Sequence, residues 1–97
     1  MPTYILLTTL TAQGIQTLRS NPERLAAVNQ DVEELGAKVV AQWATLGGPF
    51  DFVNVVEAPD AAVIARVSVA LGARGSARMQ TLTALTIDEL TDTLSQA

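Results

Sequence analysis

The chain has 97 residues, ten acidic and six basic side chains, a net charge of −4, and neither histidine nor cysteine. Without imidazole or thiolate the usual triads and dyads of nucleophilic catalysis cannot be assembled from it, and zinc, copper and haem lose their commonest ligands, so no cofactor or metal is expected. Nucleic acid is disfavoured as a partner as well, because phosphate binding needs clustered Lys and Arg and the balance here is acidic.

Tyr4–Leu10 is rich in aromatic and β-branched residues and predicts a first strand. Thr11 caps a short helical turn through Leu18, and Ser20 with Glu23, with Pro22 between them, reads as a capping box that restarts the chain. Leu25, Val28, Val32 and Leu35 follow at spacings of three, four and three, the stripe of an amphipathic helix that Gly36 ends. Strands are expected over Ala37–Leu46 and Phe50–Ala58, joined at Gly47-Gly48-Pro49 as a hairpin. Pro59-Asp60 opens a second helix with Val63, Ile64, Val67 and Leu71 facing inward and Gly72 at its end. Ser76–Leu85 is a fourth strand, and Thr86 to Glu89 is a capping box for a terminal helix bearing Ile87, Leu90 and Leu94.

The order β-α-β-β-α-β plus a short C-terminal helix, under the right-handed crossover rule, gives one ferredoxin-like α+β sandwich over residues 1–97. Its four-stranded antiparallel sheet carries both main helices on one face and leaves the other open. Alternation assigns Ile5, Leu7, Val53, Val55, Ala77 and Met79 to the helix side. The open face then receives Tyr4, Leu6, Thr8, Gln42, Ala44, Phe52, Asn54, Val56, Arg78, Gln80 and Leu82, an apolar surface with a few hydrogen-bonding groups.

Apolar residues make up 48% of the chain and charged ones 16%. A domain this small buries only roughly 60–65% of its unfolded surface, so the apolar excess points to a homodimer or higher homo-oligomer. The N-terminus has no basic region of a signal peptide, and no apolar stretch is long enough to span a bilayer; a cytoplasmic protein with no membrane partner is expected.

Met1-Pro2-Thr3-Tyr4-Ile5, Leu35-Gly36, Trp43-Ala44-Thr45-Leu46-Gly47, Phe50-Asp51-Phe52-Val53, Glu57-Ala58-Pro59-Asp60, Ala70-Leu71-Gly72 and Arg78-Met79-Gln80-Thr81-Leu82 together resemble the GYD domain family across essentially the whole chain. That family takes its name from a Gly-Tyr-Asp tripeptide at the hairpin. Here Gly48-Pro49-Phe50-Asp51 stands in its place, so Asp51 carries over and the phenolic hydroxyl does not. The resemblance implies a dimeric α/β barrel, in which two ferredoxin-like sheets pack face to face.

The candidate ligand-binding or interface residues are Tyr4, Thr8, Gln42, Trp43, Asp51, Asn54, Arg78 and Gln80. Tyr4, Thr8, Gln42, Asn54 and Gln80 suit a hydrogen-bonded network that fixes one dimer register. Trp43 suits a core or interface anchor, and Arg78 an ion pair with the partner or a ligand carboxylate. Asp51 suits a turn that binds its carboxylate to backbone N–H groups. Two functions stand side by side. One is a non-catalytic oligomer that binds a small organic molecule or serves assembly. The other is a cofactor-independent isomerase, lyase or monooxygenase, with Asp51 as base and Tyr4 or Arg78 stabilising negative charge.

Overall fold

The computed structural model describes residues 1–96. In chain order the elements are β1 (Thr3–Leu10), α1 (Ala12–Ser20), α2 (Arg24–Glu34), β2 (Lys38–Ala44), β3 (Phe52–Glu57), α3 (Ala61–Gly72), β4 (Ala77–Ala84) and α4 (Ile87–Ser95). The strands form one antiparallel sheet in the order β2-β3-β1-β4, with β2 and β4 as its edges. This is the ferredoxin-like α+β arrangement, with one helix more than the expected order because the turn after Thr11 is a full helix.

Each helix start has a local cause. The Thr11 hydroxyl accepts the Gly14 N–H, the Asp60 carboxylate accepts that of Val63, and Thr86 with Glu89 forms a reciprocal capping box. The box expected at Ser20 and Glu23 does not form. Ser20 is the last residue of α1, and α2 begins after Glu23 without a side-chain cap. The Asn21 N–H bonds back to the Thr17 carbonyl and that of Arg24 to Asn21, so the backbone itself makes this corner. α2 ends in a Schellman turn: Gly36, at φ +104°, donates to the Glu33 carbonyl while Ala37 donates to Val32.

The hairpin is longer than the glycines suggest. β2 stops at Ala44 and β3 starts at Phe52, because the Thr45 hydroxyl donates to the Phe50 carbonyl and the Asp51 N–H turns to Thr8 on β1. On β2 the pairing with β3 slips between Val39 and Ala41, a bulge that leaves Val40 surplus and 52% exposed.

The core lies between the sheet and the α2–α3 layer. Tyr4, Leu6 and Val56 from the sheet meet Val32 of α2 and Ile64, Val67 and Leu71 of α3. The face assignment drawn from alternation is therefore reversed on three strands. Tyr4, Leu6, Thr8, Phe52, Asn54 and Val56 are buried beneath the helices, and Gln42 and Ala44 pair in register with Asn54 and Phe52. Ile5, Leu7, Val53 and Val55, expected inside, lie half-buried on the open face. On β4 the assignment holds: Ala77 and Met79 pair with Leu10 and Thr8, and Arg78, Gln80 and Leu82 are exposed. Both series on β1 and β3 are apolar enough to be buried. The polar members of the inner series are tolerated because they bond one another.

Candidate functional site

The side chains of Thr8, Asn54 and Gln42 stand on three adjacent strands at neighbouring register positions, which brings them into one line. The Asn54 amide donates to the Thr8 hydroxyl at 3.3 Å and to the Leu6 carbonyl at 3.4 Å. Its oxygen accepts from the Gln42 Nε2 at 2.7 Å. Gln42 and Asn29 of α2 then exchange two bonds, at 2.9 and 3.2 Å. The result is a ladder that starts at buried Thr8 (8% exposed) and Asn54 (7%) and climbs to the surface at α2.

Beside this ladder a pocket of about 110 Å³ opens between α2 and the inner sheet face. Leu25, Val28 and Val32 form its α2 wall, with Leu6, Phe52 and Met79 on the sheet wall and Leu71 at the α3 end. Thr8, Asn54, Gln42 and Asn29 supply its polar side, and Arg74 and Ser76 stand on its rim. The Arg74 guanidinium is bound to the Asp31 carboxylate at 2.7 Å, the one ion pair among the described residues, so Arg74 brings no uncompensated charge to the lining. An apolar chamber with a few oriented polar groups is the usual make-up of a small-molecule site. Among the described residues no three acidic side chains gather as a metal site.

The remaining candidates lie elsewhere. Tyr4 is 6% exposed in the core and takes no part in the ladder. Asp51 accepts the Leu10 N–H at 2.7 Å through Oδ2 and does not line the pocket, so its carboxylate braces the hairpin against β1. Trp43 pairs with Val53 on the open face and is 56% exposed, which removes it from the core of this chain. Arg78 and Gln80 are exposed on the same side of β4. The expected network thus joins Thr8, Gln42 and Asn54 but not Tyr4 or Gln80, and it sits beneath the helices. Asn29 is the member that reading the sequence missed. Its signal was there: it falls four residues after Leu25 and three before Val32, within an otherwise apolar helical stripe.

The open face carries Ile5, Leu7, Ala41, Trp43, Val53, Val55 and Leu82, with Gln80 level with Leu7 on the edge strand β4 and Arg78, Lys38 and Glu57 toward its ends. α4 buries none of its residues, and Ile87, Leu90 and Leu94 are all exposed. No helix among the described residues is long and apolar enough to cross a membrane.

Comparison with known proteins gives three likenesses. The model of a family described as "GYD domain" matches residues 4–94. The "Glutamine synthetase and cystathionine beta-lyase binding protein" of Thermus thermophilus is 54% identical over 91 residues, covering 93% of this chain and 95% of that protein. The crystal structure of TTHA0845, also from Thermus thermophilus, superposes with a TM-score of 0.52 at 24% identity, covering 89% of this chain and 95% of that one. At that identity the likeness concerns the fold.

Proposed function

The chain belongs to the GYD domain family, and on that premise we propose that it is a non-catalytic, cytoplasmic binding protein. It associates with a second copy of itself, docks an enzyme, and holds a small organic molecule in the pocket under α2. The observation that carries the self-association is the distribution of its apolar side chains. The most uniformly apolar strand series, Ile5 with Leu7 and Val53 with Val55, lies on the face that no helix among the described residues covers, and the lone tryptophan stands exposed among them. Contiguous apolar surface of this kind marks an interaction site. A second copy offers the self-complementary surface that two-fold symmetry requires.

The enzyme partner is supported by the name of the Thermus thermophilus relative, which makes glutamine synthetase and cystathionine β-lyase the first clients to try. The catalytic reading finds little support. Its proposed base, Asp51, is engaged by a backbone N–H outside the pocket, and Tyr4 is packed in the core.

Native mass spectrometry of the protein, purified gently from its own cytoplasm, tests the reading. An oligomer carrying a non-peptide mass is expected, and a bare monomer overturns it. Binding of the chain to either purified enzyme, followed by surface plasmon resonance, is the expected second result; no binding to either removes the client part.

A further inference from the structure

We propose that the pocket under α2 takes a small, uncharged carbonyl compound with an apolar body of about one ring, its oxygen seated against Thr8 and Asn54. This rests on the small-molecule part of the reading above and names the ligand's chemistry.

Size comes first. At about 110 Å³ the pocket is comparable with an engineered apolar cavity of about 150 Å³ that holds benzene, and here the mouth is open, so a ring with a short substituent is accommodated. The walls set the body of the ligand: Val28, Val32, Phe52 and Met79 offer only carbon and sulfur. The inner polar end sets its functional group. Among the described residues the Thr8 hydroxyl receives a bond from Asn54 but donates its own proton to no acceptor. Both bonds that the Asn54 amide donates, at 3.3 and 3.4 Å, are longer than the usual N–H···O range of about 2.7–3.2 Å. The Asn54 oxygen, by contrast, is occupied by a 2.7 Å bond from Gln42. The floor therefore holds donors with capacity to spare and an acceptor already engaged, so it suits a ligand that accepts.

Charge decides between a neutral acceptor and a carboxylate. A buried anion needs an opposite charge or dense hydrogen bonding. Among the described residues the one cation lining the pocket, Arg74, is already paired with Asp31. A ketone, aldehyde or ester satisfies the donors without bringing an uncompensated charge inside.

Acetophenone, ethylbenzene and benzoate share a ring and differ in that one property. Titrating each into ¹⁵N- and ¹³C-methyl-labelled protein should shift the Asn54 side-chain amide and the Val28 and Val32 methyls with acetophenone. The Trp43 indole, on the opposite face, should stay still. Ethylbenzene should bind about fivefold more weakly, the worth of roughly one net hydrogen bond, and benzoate more weakly again. Thr8→Val, close in shape, should lower acetophenone affinity by a similar factor, and Val28→Phe, which fills the pocket from α2, should abolish it. Benzoate binding as well as acetophenone, equal affinity of wild type and Thr8→Val, or shifts confined to the open face would each overturn the proposal. If acetophenone fails while native mass spectrometry retains a bound mass, the ligand class falls and the small-molecule reading stands. If neither is seen, both fall.

Discussion

Gly14 shows how closely α1 is seated. A Cβ at this position would collide with the Ser76 carbonyl oxygen, the atom that accepts the Thr11 N–H at the head of the same helix. Any side chain must push α1 off the start of β4, so Gly14→Ala should cost about 1–3 kcal/mol by overpacking, measured by urea denaturation. The amide ladder should show a gradient of cost along its length. Gln42→Leu leaves the Asn54 oxygen without its 2.7 Å donor in a buried setting and should cost about 1–3 kcal/mol. Asn29→Ala, at the solvent end, should stay within about 0.5 kcal/mol. Equal losses at both positions would contradict the graded burial. The ladder also marks the limit of what alternation reveals. The pattern on β1 and β3 makes Thr8 and Asn54 look outward-facing because each is polar in isolation. Their mutual bond, across 46 positions of sequence, is what admits them to the interior.

At the scale of elements, the strands and helices were largely legible, because each rests on a short-range cause. β-rich runs, the α2 stripe, and the caps at Thr11, Asp60 and Thr86 all stand in contiguous sequence. Where long-range bonds decide, boundaries moved. β3 starts late because Asp51 is held by Thr8 and Leu10 of β1, and nothing near Asp51 in the sequence announces that. α4 is the element whose stability rests most on its own termini, since it buries nothing. Glu89 accepts the Thr86 backbone N–H, and that bond, with the Thr86 hydroxyl contact, holds its carboxyl below the ordinary glutamate range. A depressed folded-state pKa stabilises the helix above the unfolded value, and the contribution is lost as pH falls through the folded one. NMR should therefore show α4 fully helical at neutral pH and fraying below the normal glutamate titration. Glu89→Gln should remove that pH dependence while keeping α4 helical at pH 7.

At the scale of the whole molecule, two unlike surfaces lie back to back on one sheet, the amide-lined pocket under the helices and the apolar face opposite. They can be separated by mutation because adjacent strand residues point to opposite sides. Val53→Lys puts a charge amid the open-face series while its neighbours Phe52 and Asn54 remain on the pocket side. If the chain self-associates through this face as proposed, the substitution should yield a folded monomer by light scattering and shift Trp43 fluorescence to the red. No change in mass would rule that face out as the contact. The bulge on β2 keeps the two surfaces independent at the edge, holding Gln42 inward and Trp43 outward although an odd residue stands between them and Val39. Val40 is thus a spare link, and an ancestor or descendant lacking it would keep every other side chain of β2 on its present side. The opposite edge, β4, pairs without a break in register, so losing one residue there would turn the side chains on one side of the gap to the other face. Length variation in this lineage should accordingly be permitted at one margin of the sheet and purged at the other.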